Sequence, residues 1–140
     1  MTIPLSLDVR LARVTALRDK IDAGGGGKLL AYTLTNPNPL PATPETATTE
    51  TLLGEISLAA VCGAVTTSGA LAVLTATVPQ VDLAIATGVV GFVRVVNFAG
   101  AGIMDLPAGL AGSGLPVIFS DTQVYQNGEL QLISFVLTEA

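Results

Sequence analysis

Leu7, Leu11, Val14, Leu17 and Ile21 recur at spacings of 4, 3, 3 and 4. This is the apolar stripe of an amphipathic α-helix over residues 7–22. Ser6 is placed to cap its N-terminus, with Pro4 just before it. Asp8 in the first turn and Lys20 in the last both suit the helix dipole. Arg10, Arg13 and Lys20 fall on the opposite face. Gly24 to Gly27 end the helix and supply a flexible joint. The stripe can pack on the chain's own body, or the helix can swing out as an arm that packs on a partner. Both readings stand at this point.

After the glycines the pattern changes. Leu29–Thr35 reads as a strand. Asn36–Glu50 holds four prolines and four threonines and predicts an extended, polyproline-like loop. Its length exceeds that of an ordinary connection, which marks it as functional or mobile. Thr51–Ala60, Ala70–Val78, Val81–Ala86 and Val89–Asn97 are rich in Val, Leu and Ala, with turn residues between them. Ala99–Gly102 reads as a break, Ile103–Leu106 as a short strand and Pro107–Gly114 as a glycine-rich loop. Leu115–Ser120 and Gln123–Tyr125 follow as strands, and Asn127-Gly128 is a tight-turn signal. Leu130–Thr138 is a strand apolar on both faces. Eight or so short strands at this spacing predict a mainly β chain, a jelly-roll-like β-sandwich with one N-terminal helix. Residues 1–27 form the helical arm and hinge, and residues 28–140 the sandwich, with the loop 36–50 set into it. The sequence shows no internal repeat.

Composition sharpens this picture. Half the residues are hydrophobic and 12% are charged, against about 25% in an ordinary globular chain. A surface so poor in charge is typical of assembly subunits, whose neighbours cover part of it; a greasy monomer is the plainer alternative. Residues 1–28 hold five cations against three acids, net +2, whereas residues 29–140 hold only Arg94 against eight acids, net −7. An acidic body with no aromatic–basic interleaving argues against nucleic-acid binding. No charge occurs between Glu55 and Asp82, a length that could span a bilayer. Thr66-Thr67-Ser68-Gly69 near its centre and Pro79-Gln80 near its end favour two strands and a turn over a membrane segment. The N-terminus has no basic segment followed by an apolar run, so no signal peptide is expected.

The chemistry expected is none. Without histidine, His-based triads and most zinc sites are excluded. Cys62, the single cysteine, sits among Ala59, Ala60, Val61 and Gly63 and reads as a small core residue. The acids are scattered singly, without calcium-loop spacing. Gly24–Lys28 follows a helix and precedes a strand, the reverse of a phosphate-binding loop. No catalytic, cofactor-binding or metal-binding residue is expected.

A helix ending in a glycine run leads into Lys28-Leu29-Leu30-Ala31-Tyr32-Thr33. A Pro/Thr-rich stretch then leads into Thr51-Leu52-Leu53-Gly54-Glu55-Ile56-Ser57-Leu58. Thr87–Asn97 places Phe92 before an Arg94-Val95-Val96 run, and Leu132–Glu139 closes the pattern. In this order the motifs, spanning most of residues 15–140, resemble the capsid cement (decoration) proteins of short-tailed phages. The chain departs from that family in its proline-rich loop and its longer N-terminus.

The resemblance implies a jelly-roll fold and a structural, non-enzymatic virion protein. Such a protein would be made in the cytoplasm of the host bacterium and would sit as a homodimer on the outer capsid surface. There it would bridge neighbouring major capsid subunits, with no nucleic-acid or membrane partner. Leu7, Arg10, Leu11, Arg13, Val14, Leu17, Lys20 and Ile21 of the helix, with Pro37, Pro39, Pro41 and Pro44 of the loop, are the expected contacts. Removing residues 1–23 is then expected to weaken capsid binding and leave the β-body folded. The alternative is a virion-surface module that recognises a host surface or glycan; the lack of Trp counts against it.

Overall fold

A computed structural model describes residues 5–35, 39–59 and 61–139. Pro4, residues 36–38 of the proline loop and Ala60 lie outside the described residues. The chain is 44% strand and 12% helix. Helix α1 spans Leu7–Asp22, and the Ser6 hydroxyl caps it by accepting from the Val9 N–H at 3.3 Å. Eleven strands follow among the described residues: β1 Lys28–Tyr32, β2 Leu52–Ser57, β3 Gly63–Ser68, β4 Leu71–Ala76, β5 Gln80–Leu83, β6 Gly88–Val89, β7 Phe92–Val96, β8 Gly102–Gly109, β9 Val117–Phe119, β10 Gln123–Val124 and β11 Glu129–Glu139.

Nine strands share one sheet, in the order β2-β1-β7-β8-β9-β11-β4-β3, with β5 also paired to β11. All its ladders are antiparallel except β8–β9. β6 and β10 form a small second sheet. The long strand β11 carries the fold's main junction: its first half pairs with β5 and β9, its second half with β4. The sheet curls until β2 lies beside β5. The Ile85 N–H donates to the Leu53 carbonyl at 2.8 Å, and the Asp82 carboxylate accepts from the Ser57 N–H at 3.1 Å. The result is a curled, jelly-roll-like β-sandwich with one N-terminal helix.

Phe119, Phe135, Leu29, Leu53, Ile56, Leu74, Leu130 and Leu132 are fully or almost fully buried inside the curl, whereas the buried Phe92 stacks on Tyr32 on the outer face. Each large apolar side chain so buried contributes roughly 1.5–3 kcal/mol relative to exposure. Helix α1 lies across β4 and β3 and adds Val14 and Ile21 to the same core, with Leu11 and Leu17 packed against it. Of the two readings of the helix, packing on its own body is therefore the one observed. Its glycine exit is a fitted corner. Gly24 takes φ +87° against the Phe98 side chain, and a Cβ on Gly27 would collide with Ile21 and the Val96 carbonyl. The predicted flexible joint is thus held in place by the β7–β8 hairpin.

Several strand boundaries differ from expectation. β3 falls where a turn was read, because its small polar residues carry no apolar alternation. The stretch Val89–Asn97 divides into β6 and β7 where the backbone changes partner, the Val90 N–H donating to the Thr122 carbonyl at 2.8 Å and the Gly91 N–H to the Tyr32 carbonyl at 2.9 Å. β8 continues through Pro107 to Gly109, into the predicted glycine-rich loop. Asn127, at φ 68°, forms the tight turn before β11.

Candidate functional site

The described part of the proline-rich loop, residues 39–50, is a strap across the outer face of β1, β7 and β8. Its base is tied on both sides. Thr33 and Thr51 exchange two hydrogen bonds of 3.0 Å, and the Glu50 carboxylate accepts from the Thr35 N–H at 2.6 Å and its hydroxyl at 2.7 Å. Pro44 presses its carbonyl against Gly102, where no Cβ would fit. Between strap and sheet lies a cleft of about 500 Å³, lined by Leu30, Tyr32, Pro44, Glu45, Arg94 and Val96 among others.

Beneath the strap, Arg94 of β7 stands directly opposite Asp105 of β8. The guanidinium makes two parallel bonds to the carboxylate, Nε to Oδ1 at 2.7 Å and Nη2 to Oδ2 at 3.0 Å. Both side chains are more than nine-tenths buried. The Asp105 bond holds the Arg94 guanidinium above its ordinary value, while burial opposes this. A desolvated, bidentate pair of this kind fixes the register of β7 on β8. Two of the charges in this region are thus spent on each other, and Glu45 is the further carboxylate that lines the cleft. The Cys62 thiol is pushed up to about 11, first by burial and then by Asp22. It stays protonated at neutral pH and is no nucleophile. Among the described residues, no cluster of three or more acids, histidines or cysteines could hold a metal ion, and no helix is long and apolar enough to cross a membrane.

The surface is more informative than the interior. β5 and the segment after it alternate strictly: Asp82 and Ala84 turn inward, whereas Val81, Leu83 and Ile85 stand 47%, 61% and 54% exposed. The strip continues along the small sheet, because Val89 pairs with Gln123 and Gln126 N–H donates to Thr87 Oγ1. This places Val89 at 53% exposure and Tyr125 at 64% on the same side. Residues 83–93 carry no charge. Five large apolar side chains expose on the order of 500 Å² of apolar surface, the upper end for a free-standing monomer, with Glu129 directly opposite Leu83 as a charge at their margin, and such patches mark interaction sites.

The expected contact residues divide. Val14 is 3% exposed and Ile21 0%; both belong to the protein's own core and cannot also meet a partner. Leu11 and Leu17 are partly buried against that core, and Leu7 is half-buried. The stripe at spacings of 4 and 3 is satisfied internally, so removing residues 1–23 would open the core. The polar face stays available. Lys20 is exposed, Arg13 reaches Glu139 at 2.8 Å, and Arg10 bends its Nε toward the Ser6 carbonyl at 3.5 Å. Pro39 is exposed, and Pro41 and Pro44 are half-buried. Pro39 and Pro41 line a hollow of about 320 Å³ within the loop, and Pro37 lies outside the described residues. Sequence reasoning missed the Val81–Val89 strip. Its alternation was visible, but only the fold shows which set of side chains faces out.

No family model, curated protein or solved structure matches the chain.

Proposed function

We propose that this protein is a structural cement of a tailed-phage head. It binds the outer capsid surface as a dimer and bridges neighbouring major capsid subunits against the pressure of packaged DNA. The observation that carries the reading is the exposed apolar strip Val81–Val89 with Tyr125, on a chain whose body is acidic beyond residue 28. A surface of this kind gains free energy when covered. The resemblance of its ordered motifs to those of capsid cement proteins supports a capsid as the surface that covers it. The polar helix face, with Arg10, Arg13 and Lys20, and the exposed Pro39 of the strap add the rim of the contact.

A clamp that fits only the assembled, expanded lattice stabilises that lattice by mass action, because it binds one state better than the other. A dimer that reaches two sites gains further from effective concentration.

The test is co-sedimentation of the purified protein with heads that lack it, compact and expanded. Saturable binding to expanded heads alone, with a higher head-disruption temperature, is expected. Leu83→Lys, which puts a charge at the centre of the strip, is expected to abolish it. Binding to neither form would overturn the reading.

A further inference from the structure

β3 is the last strand of the sheet and pairs only with β4. In an antiparallel ladder the backbone groups of alternate residues face the partner strand and the open side. The Thr77 N–H donates to the Cys62 carbonyl at 2.8 Å, in line with the β3–β4 register. The bonded positions of β3 are therefore Ala64, Thr66 and Ser68. The N–H and C=O groups of Gly63, Val65 and Thr67 point away from the sheet, and no described residue meets them.

Proteins ordinarily blunt such an edge with lysine, proline, a bulge or a cover. β3 has none of these. Its register on β4 runs unbroken through six pairs, and no charge lies within residues 56–81. Val65, Thr66 and Thr67 are β-branched and favour the extended chain. The other end of the sheet differs, since β2 is sealed against β5 by the Ile85 and Ser57 bonds.

We propose that a second copy of this chain completes the edge. In this arrangement β3 pairs antiparallel with its own mate about Val65, and the sheet runs on through both copies. Self-pairing about a two-fold axis demands that the strand tolerate its own reverse. Here Val65 faces Val65 of the second copy and Thr67 faces Gly63 of the second copy, with no charge opposed to itself. Charge also selects this edge. Two copies each carrying −5 repel one another, so they approach through a neutral surface. Val65 is already packed against the core, so the central pair joins the two cores. Both α1 helices then lie on one face of the continuous sheet.

This inference deepens the proposed function by naming the surface through which copies join. Its test needs no capsid, so the two can fail separately. Light scattering coupled to size exclusion is expected to give the mass of two chains. Thr67→Pro removes an outward N–H and leaves the β4 bonds untouched, and is expected to halve that mass with an unchanged circular dichroism spectrum. Should the proline variant fail to fold, Thr67→Lys places a charge on the same edge and is expected to do likewise. Hydrogen exchange supplies an independent reading, with the Val65 and Thr67 amides protected in the wild type. A single-chain mass for the wild type, unprotected Val65 and Thr67 amides, or a two-chain mass for a folded Thr67→Pro would each overturn the proposal. A mass halved by Leu83→Lys would do the same, because it would move the junction to the Val81–Val89 strip.

Discussion

At one side of the curl, β1, β7 and β8 are strapped by the proline loop, pinned by the Arg94–Asp105 pair and closed at the edge by β5. At the other side, β4 and β3 carry a helix on one face and an uncovered backbone edge. The same sheet thus has one edge sealed by the fold itself and one edge left open. The first half has its polar groups matched internally, down to a carboxylate that takes the place of a ladder partner for Ser57. The second obtains its burial from a single helix. The lesson is that self-sufficiency and readiness to associate can be separated within one sheet, by deciding which edge is finished.

Substitutions can break or sharpen this contrast. The largest effect is expected in the strapped half. Asp105→Ala strands a buried guanidinium, and such a loss costs about 3–5 kcal/mol. Denaturant unfolding would measure it, and a loss below 1 kcal/mol would mean the pair is not the pin described. In the helix half, Ile21→Ala opens a cavity under α1 and is expected to cost about 3 kcal/mol. Were the helix a detachable arm, this variant would unfold with the wild-type midpoint. Ser6→Ala removes only a cap, at about 1 kcal/mol. Its effect belongs in hydrogen exchange of the first helical turn, with the β7 amides unmoved.

The smallest effect at neutral pH concerns Cys62. Its thiol stays protonated up to about 11 in the folded chain, against about 9 unfolded. Between those values the folded state binds the extra proton, so stability falls as pH rises through that window and is complete below it. Cys62→Ala is expected to flatten that fall in a pH series of thermal melts. An unchanged slope would assign the fall to other groups.

Much of this was legible in the chain beforehand. Helix α1, its Ser6 cap and the Asn127-Gly128 turn follow from local spacing and turn chemistry, and they stand within a residue of expectation. β3 was hidden because alternation signals a half-buried strand, and a strand exposed along most of its length does not alternate. Pro107 reads as a breaker, yet it lies toward the end of β8, where the partner changes from β7 to β9. Arg94 and Asp105 are eleven positions apart and look unrelated. Only the β7–β8 register brings them face to face. The strip from Val81 to Val89 shows why pattern alone leaves a surface undecided: two strand faces of similar hydrophobicity compete, and packing elsewhere breaks the tie.

The position of β11 in the topology sets an order of events during synthesis. β5 has no other ladder partner, and β4 and β9 keep one open side each until β11 emerges. A nascent chain therefore carries its Val-, Leu- and Ala-rich strands to the ribosome's exit before they can close. Long-range pairing of this kind is slow and leaves apolar segments uncovered meanwhile. Chains terminated before β11 would not reach the folded state, and so would not compete with finished ones for a place in any larger structure.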